Sequence, residues 1–333
     1  MTEFLTQLPI WVNFIFFGIG VLILVKGSDF FIDSSVYFAR KFHISEVVIG
    51  LTLVSLGTSL PELAANINSA LKGRSAIAIG NVTGSNITNI ALIIGISALI
   101  MGRIKVPKKL FQLDMIIMMI TSALLLVFAY FFDKPYAINR IEALIMLVFL
   151  IAYMFFLFKF HKKEIPASTV EDKELWIKSM TIAILVFLAG FICIFSGSEV
   201  MIRNIIIIAD KMEISDGVIG ATIVALATSL PELAVTLIGI VKKNAGLSLG
   251  NIVGSNILNI LGVLGITGLI APIAIVNHDM TPDIKMLTIT LPLTLLVAFL
   301  LFVMMSIKMQ LGRIKGIIFL LFYIGFIFIN FVH

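Results

Sequence analysis

Ten long apolar runs constrain the fold of this chain more than any other feature of its sequence. A helix needs about 20 predominantly apolar residues to cross the roughly 30 Å of hydrocarbon in a bilayer, and the runs are of about this length or longer. They cover residues 9–26, 44–71, 76–101, 111–132, 137–159, 177–203, 214–241, 245–270, 284–306 and 314–332. None shows the alternation of apolar and polar residues that is typical of a barrel strand. The pattern predicts an all-α integral membrane protein with ten transmembrane helices.

The composition agrees with a membrane protein and excludes several other classes. Of the 333 residues, 60% are hydrophobic and 13% are charged, whereas soluble domains average about 45–50% and about 25%. The single cysteine, Cys193, excludes a disulfide framework within the chain and a zinc site of several cysteines. The net charge of +5 does not indicate a nucleic-acid partner, because the basic residues form short clusters between the apolar runs. No motif of an enzyme is present, and we expect no cofactor.

The distribution of basic residues predicts the orientation of the chain. The connections after odd-numbered runs hold 17 of the 24 Lys and Arg residues, and the other side holds 7. By the positive-inside rule, the side with 17 is cytoplasmic and both termini lie outside. The N-terminus lacks the positive region of a cleaved signal peptide, so we expect the first run to remain as a span. The sequence thus predicts a membrane protein with lipid as its surroundings and no protein partner implied.

Two polar segments inside the apolar runs are duplicated at an offset of 170 residues. The segments 50–63 and 220–233 are identical at 10 of 14 positions, and 80–90 and 250–260 are identical at 8 of 11. The chain is therefore interpreted as two homologous halves of five spans, residues 1–159 and 177–333, joined by a polar cytoplasmic linker at 160–176. Because five crossings are an odd number, the second half enters the membrane from the opposite side. Such inverted repeats are typical of secondary transporters, whose substrates bind near the midplane.

The duplicated segments place two glutamates, Glu62 and Glu232, near the middle of their spans. A carboxylate in a span is a candidate functional group, because burying a charge in a membrane is unfavourable. No Lys or Arg stands at a matching depth in the sequence. Four and three residues before the glutamates, on the same helical face, stand the hydroxyls of Thr58, Ser59, Thr228 and Ser229. Pro61 and Pro231 predict kinks that free backbone carbonyls, including those of Thr58 and Thr228.

The next span of each half adds further oxygen ligands. Ser85 and Asn89 stand four residues apart and share a face, as do Ser255 and Asn259. Nearby amides at positions 81, 86, 251 and 256 are offset around the helix, and for them packing or hydrogen bonding between helices is at least as good an explanation. A cluster of oxygen atoms without His or Cys favours a hard cation. Two bidentate carboxylates, two carbonyls and one or two waters would supply the 6–8 oxygens that Ca²⁺ prefers, and Na⁺ would compete for them.

The duplicated Thr-Ser-Leu-Pro-Glu and Gly-Ser-Asn-x-x-Asn segments resemble the α-repeats of the sodium/calcium exchanger family, within the cation/Ca²⁺ exchanger superfamily, and particularly its compact prokaryotic members. The resemblance implies a location in the prokaryotic inner (cytoplasmic) membrane. It also implies a Ca²⁺ site formed by Glu62, Glu232 and the carbonyls of Thr58 and Thr228. It implies flanking Na⁺ sites, whose residues are Ser59, Ser85, Ser229 and Ser255, with the carbonyls of Ser55 and Ala225. In the family, movement of the first and sixth helices switches access to the site. Asp29 and Glu199 would then lie near the ion pathway, although ordinary solvation at a helix end explains both more simply.

These residues predict an antiporter that exchanges Na⁺ for Ca²⁺ by alternating access and extrudes Ca²⁺ from the cytoplasm. A Ca²⁺/H⁺ exchanger on the same scaffold is the alternative, in which protonation of Glu62 and Glu232 replaces Na⁺ binding. Some relatives carry an acidic residue at one of the positions of Asn89 and Asn259, so the amides at both positions leave the counter-ion open. A passive cation channel is a further alternative, although paired inverted halves favour a carrier.

Overall fold

The computed structural model describes residues 9–71, 75–131, 137–161, 176–211, 225–275, 283–284 and 286–332, and in this part of the chain nearly all regular structure is helical. The helices, in chain order, are α1 Ile10–Lys41, α2 Glu46–Thr58, α3 Leu60–Leu71, α4 Ser75–Ile87 continued by Thr88–Ile94 and Gly95–Met101, α5 Leu110–Phe131, α6 Arg140–His161, α7 Met180–Lys211, α8 Ala225–Thr228, α9 Leu230–Val241, α10 Ala245–Ile270, α11 Met286–Ser306 and α12 Arg313–Val332.

Seven of the described helices contain a continuous segment that is long and apolar enough to cross a membrane, and α2 with α3 forms an eighth, bent span. The seven are α1, α4, α5, α6, α7, α10 and α11. The prediction of an α-helical membrane protein is therefore confirmed. The remaining two of the ten predicted spans correspond to α9, which follows residues outside the described part, and to α12, so the count of ten stays a prediction.

Two helices extend well past their predicted ends. Helix α1 extends over 32 residues to Lys41, although the first span was expected to end at residue 26, and α7 continues to Lys211 rather than to residue 203. The polar residues that suggested an end to the first span do not interrupt the helix. Ser28 Oγ donates to Leu24 O, so its hydroxyl is satisfied within the helix. Lys26, which was assigned to a connection, consequently lies inside α1.

Helices α1 and α7 pack against each other through four glycines and run antiparallel. A Cβ atom at Gly20 would lie 2.9 Å from the carbonyl oxygen of Gly197, and one at Gly27 would lie 2.9 Å from that of Gly190. The same near-contacts recur when the Cβ is placed on Gly190 or on Gly197. Small residues let two helix backbones approach this closely. Since residue numbers rise along α1 where they fall along α7, the two helices cross in opposite directions.

Of the seven described spans, α4 and α10 are the most buried, and they carry the duplicated Gly-Ser-Asn segments. In their most apolar stretches 72% and 89% of the residues are buried, compared with 22% in both α1 and α7. Both central helices contain a π-helical turn, Thr88–Ile94 in α4 and Asn259–Leu264 in α10. These turns start next to Asn89 and at Asn259, and π-helical turns are frequent at functional sites. The centre of the described bundle is therefore lined by the polar segments of the repeat.

Four short strands, which the sequence analysis did not predict, connect helix ends. They form two antiparallel ladders: β1 (Arg103–Lys105) pairs with β4 (Gln310–Gly312), and β2 (Ala137–Ile138) pairs with β3 (Ile273–Ala274). Each ladder joins a connection of the first half to a connection of the second half. The ladders thus link residues before position 160 to residues after position 176.

Candidate functional site

The two glutamates each follow a helix break, and the two breaks lie at corresponding positions of the repeat. Ser59 and Ser229 leave the helical conformation, with φ −88° and ψ 5° at Ser59 and φ −88° and ψ 6° at Ser229. Helices α3 and α9 restart immediately afterwards with Leu-Pro-Glu. The axis bends by 43° between α2 and α3. Proline lacks an N–H and cannot continue the hydrogen-bond ladder. The predicted kink at Pro61 is therefore confirmed, and Pro231 follows a helix break with the same backbone conformation. Each glutamate lies in the first turn of the restarted helix.

Both glutamate side chains are fully buried, and Glu232 is near enough to Glu62 to interact with it electrostatically. Ser59 Oγ donates to Glu232 Oε1 at 3.2 Å, and the hydroxyls of Thr58 and Ser255 also face the Glu232 carboxylate. Glu232 Oε2 and both oxygens of Glu62 have no hydrogen-bond partner among the described residues. No described Lys or Arg forms an ion pair with either glutamate. Buried carboxylates normally require a compensating positive charge, so this arrangement is suited to a cation.

The threonines that precede the glutamates reach into the opposite half of the chain. Thr58 Oγ1 donates to Asn251 Oδ1 at 3.2 Å and lies 3.4 Å from Ser255 Oγ. The contacts of Thr228 are the same with the halves exchanged. Its Oγ1 donates to Asn81 Oδ1 at 3.2 Å and lies 3.4 Å from Ser85 Oγ. Thr58 and Thr228 thus each contact a serine and an asparagine across the boundary between the two halves of the sequence.

The amides of α4 and α10 meet at the same boundary. Asn86 Nδ2 donates to Asn256 O at 3.2 Å, and Asn259 Nδ2 donates to Asn86 Oδ1 at 3.1 Å. The side chain of Asn86 therefore makes the hydrogen bonds between helices that the sequence analysis considered for it, whereas the side chain of Asn256 donates to Ile252 O within its own helix. Asn89 is fully buried, and neither its amide oxygen nor its nitrogen has a partner in the described part of the chain. The amide oxygen of Asn259 is also buried without a donor among these residues.

The other predicted ligands are less uniform in their surroundings. The carbonyl of Ser55 accepts the N–H of Ser59 at 3.0 Å and lies 3.4 Å from Thr58 Oγ1, while Ser55 Oγ donates to Thr52 O. Ser229 Oγ is buried with no hydrogen-bond partner among the described residues. Ala225 is the first residue of α8, and its side chain lies outside the described part.

Two polar clusters lie outside this constellation, and the sequence analysis did not find either. Lys242 Nζ lies 3.2 Å from Asp29 Oδ1 and 2.7 Å from Asp33 Oδ1, which joins α1 to the end of α9. The expectation that Asp29 is solvated at a helix end is therefore wrong, because α1 continues past it. Tyr153 OH donates to the fully buried Asp114 at 3.2 Å, and the only signal for this pair was a lone acidic residue in the fourth apolar run.

Comparison with known proteins gives a consistent set of relatives. The family model described as sodium/calcium exchanger protein matches residues 12–159 and 182–332. The sodium/calcium exchanger MaX1 of Methanosarcina acetivorans is 32% identical over 97% of this chain and 99% of its own length. The putative antiporter CaxA of Alkalimonas amylolytica is 34% identical over 95% of this chain and 98% of its own. A solved structure of the sodium-calcium exchanger NCX_Mj, soaked with Na⁺ and Sr²⁺, superposes with a TM-score of 0.80 at 30% identity over 96% of this chain and 98% of that one.

Proposed function

The chain belongs to the sodium/calcium exchanger protein family, and from this premise we propose that it is a secondary active antiporter that exchanges Na⁺ for Ca²⁺ by alternating access. It is an integral membrane transporter and not an enzyme. The proposal concerns the direction of transport, the residues of the site and the counter-ion. We propose net extrusion of Ca²⁺ from the cytoplasm, driven by the inward movement of Na⁺.

One observation carries the proposal: Glu62 and Glu232 are both fully buried, interact electrostatically, and have no basic partner in the described part of the chain. Their two negative charges balance one Ca²⁺, and carboxylate and carbonyl oxygens are the ligands that Ca²⁺ prefers. We assign Ca²⁺ to these two carboxylates and to the carbonyls of Thr58 and Thr228. The site is enclosed by hydroxyls and amides from both halves of the sequence.

The Na⁺ ligands in this proposal overlap with those of Ca²⁺. They are the oxygens of Ser59, Ser85, Ser229 and Ser255, the carbonyls of Ser55 and Ala225, and the amide oxygens of Asn89 and Asn259. The bond from Ser59 to Glu232 and the contacts of Thr58 with Ser255 and of Thr228 with Ser85 support the overlap, since these groups share one buried region. Na⁺ and Ca²⁺ would therefore displace each other instead of binding together. That competition is what couples the two gradients in an antiporter.

We propose that the architecture is two inverted halves of five spans, residues 1–159 and 177–333, with a linker at 160–176. The antiparallel crossing of α1 and α7 supports the inversion, because these helices are the first of each half. The exchanged contacts of Thr58 and Thr228 support a twofold relation between the halves. The family model also matches two segments that flank the proposed linker. The distribution of Lys and Arg supports an orientation with both termini outside, and the prokaryotic relatives support the cytoplasmic membrane as location.

A Ca²⁺/H⁺ exchanger is the second candidate function. Asn89 and Asn259 are both amides, so Glu62 and Glu232 are the acidic groups of the proposed site, and protonation of these two could replace Na⁺ in releasing Ca²⁺. The buried position of both carboxylates is compatible with a neutral state in the absence of a cation.

Flux measurements in proteoliposomes distinguish these functions. Purified protein is reconstituted, and ⁴⁵Ca²⁺ uptake is recorded under an imposed Na⁺ gradient, an imposed pH gradient, or neither. The proposal predicts uptake that follows the Na⁺ gradient and vanishes when choline replaces Na⁺. Uptake driven only by the pH gradient would establish the Ca²⁺/H⁺ exchanger. Uptake that needs neither gradient would indicate a channel and contradict both.

A further inference from the structure

A chain of side-chain amides leads from a backbone carbonyl to a hydroxyl of the candidate site. Asn66 Nδ2 donates to Ala78 O at 3.0 Å, and Asn81 Nδ2 donates to Asn66 Oδ1 at 2.8 Å. Thr228 Oγ1 then donates to Asn81 Oδ1 at 3.2 Å. Asn66 is fully buried and lies on α3, whereas Asn81 lies on α4 and Thr228 ends α8. Three helices from both halves are thereby joined in one line of hydrogen bonds.

The carbonyl of Ala78 fixes which group donates and which accepts in every hydrogen bond of this line. A backbone carbonyl only accepts, so Asn66 must turn its NH₂ group towards it and its oxygen towards Asn81. Asn81 must in turn present its NH₂ group to Asn66, which leaves its own oxygen facing Thr228. If the Asn81 amide were rotated by 180°, its oxygen would face the oxygen of Asn66, and neither atom could donate a hydrogen bond. The hydroxyl of Thr228 is therefore a donor to Asn81.

This direction determines what the neighbouring hydroxyls can offer to an ion. Thr228 Oγ1 and Ser85 Oγ lie 3.4 Å apart, and either could donate in an isolated pair. Since the proton of Thr228 is engaged by Asn81, Ser85 becomes the donor to Thr228. We propose that Asn66 and Asn81 are positioning residues, which orient the hydroxyls of Thr228 and Ser85 so that oxygen lone pairs, and not protons, face Na⁺. This inference rests on the proposed function and assigns these two residues a role in the selectivity of the same site.

The second half of the chain contains a related but less constrained line. Asn251 Nδ2 donates to Thr236 Oγ1 at 3.2 Å, and Thr58 Oγ1 donates to Asn251 Oδ1. Thr236 occupies the position that corresponds to Asn66, and a hydroxyl can either donate or accept. Its presence does not fix the direction of the line. Thr58 also faces the carboxylate of Glu232, which is a second acceptor for its proton. The line through Asn66 is therefore the one whose direction is determined.

The repeat itself supplies a matched control for the test. Asn66→Leu removes both the donor to Ala78 and the acceptor for Asn81, so that the Asn81 amide is free to turn. Asn66→Thr introduces the residue that the second half carries at Thr236 and retains an acceptor for Asn81. Asn66→Ala provides a second truncation of smaller volume if the leucine variant does not reach the membrane.

The assay is ⁴⁵Ca²⁺/Ca²⁺ exchange in proteoliposomes, inhibited by increasing Na⁺. We expect Asn66→Leu to raise the half-inhibitory Na⁺ concentration about three- to tenfold, as the loss of a typical hydrogen bond would. The half-saturating Ca²⁺ concentration and the maximal rate should change less than about twofold. Asn66→Thr keeps an acceptor for Asn81 without fixing its direction, so its Na⁺ value should lie between those of the wild type and Asn66→Leu. An unchanged Na⁺ value in the leucine and alanine variants would overturn the inference. So would an equal rise in the Na⁺ and Ca²⁺ constants, since general damage to the site would produce it.

Failure of this inference and failure of the proposed function give different results. Ca²⁺/Ca²⁺ exchange requires no Na⁺, so it reports on the Ca²⁺ site alone. Wild-type exchange that Na⁺ does not inhibit would refute the proposed function, whatever the variants do. Wild-type exchange that Na⁺ inhibits, with the same Na⁺ dependence in the Asn66 truncations, would refute only the positioning role.

Discussion

The hydroxyl of Ser59 donates a hydrogen bond to Oε1 of Glu232 at 3.2 Å, so a side chain from the first half contacts the carboxylate of the second. The corresponding bond from Ser229 to Glu62 is not formed: Ser229 Oγ and both oxygens of Glu62 are buried without a partner among the described residues. Both pairs stand in identical Thr-Ser-Leu-Pro-Glu-Leu segments. Their unequal contacts therefore arise from the packing of the two halves and not from the local sequence.

The unequal contacts of Ser59 and Ser229 predict different effects of two matched substitutions. Ser59→Ala removes the hydroxyl that is fixed to Glu232 with its lone pairs available to Na⁺, and we expect the half-saturating Na⁺ concentration to rise about tenfold. Ser229→Ala removes a hydroxyl that has no hydrogen-bond partner among the described residues, so it should raise the half-saturating Na⁺ concentration less. Na⁺-dependent ⁴⁵Ca²⁺ flux in proteoliposomes measures both variants. Equal effects, or a larger effect of Ser229→Ala, would contradict the asymmetry.

The two glutamates should be essential for exchange, because both supply charge to the proposed Ca²⁺ site. We expect Glu62→Gln and Glu232→Gln to abolish Na⁺-dependent ⁴⁵Ca²⁺ uptake while the protein still reaches the membrane, since each amide retains the shape of the side chain. Asp114→Asn is the matched control, because Asp114 is equally buried but lies against Tyr153. Its transport should be largely retained. Normal uptake in either glutamine variant would show that the site lies elsewhere.

The crossing of α1 and α7 should tolerate no side chain larger than hydrogen at its contact points. A Cβ at Gly27 would lie 2.7 Å from Cys193 Cβ and 2.9 Å from the carbonyl oxygen of Gly190, whereas a Cβ at Gly18 meets no described atom within 4 Å. Overpacking typically destabilises by about 1–3 kcal/mol. We expect Gly27→Ala to lower the melting temperature in detergent by several degrees and Gly18→Ala to leave it unchanged. Equal melting temperatures would show that the helices separate without loss of stability.

Unequal exposure of two corresponding amides predicts from which side the site is reached. Asn251 is fully buried, whereas Asn81 is partly exposed. In a Cys193→Ser background, which removes the single native cysteine, we expect a membrane-impermeant thiol reagent to modify Asn81→Cys and not Asn251→Cys. The proposed orientation places the start of α4 outside, so modification should occur with reagent added to that side. Modification of Asn81→Cys by reagent on the cytoplasmic side alone would contradict the proposed orientation.

The sequence predicted the features that depend on local chemistry. The kinks at Pro61 and Pro231 follow from the missing N–H of proline, and the burial of Glu62 and Glu232 follows from their position in apolar runs. The length of α1 was mispredicted, because the hydroxyl of Ser28 is satisfied by its own helix. A hydropathy profile does not reveal this hydrogen bond.

Contacts between the halves were beyond sequence reasoning. The hydrogen bond from Thr228 to Asn81 requires two helices that are far apart in the sequence to meet. Hydrophobic periodicity and motif spacing do not predict such a contact. The bond from Asn259 to Asn86 and the π-helical turn that begins at Asn259 are likewise products of tertiary packing. The sequence could name most of the candidate ligands. It could not say which of them hydrogen-bond to each other.

Equilibrium binding of ⁴⁵Ca²⁺ to the purified protein tests the central claim most directly, because it needs neither a gradient nor a direction of transport. The account predicts that the wild type binds Ca²⁺, that Na⁺ displaces it while choline does not, and that Glu62→Gln and Glu232→Gln each abolish binding. The Asp114→Asn variant should bind as the wild type does. Ca²⁺ binding that persists in both glutamine variants, or that Na⁺ leaves unchanged, would contradict a shared cation site between Glu62 and Glu232.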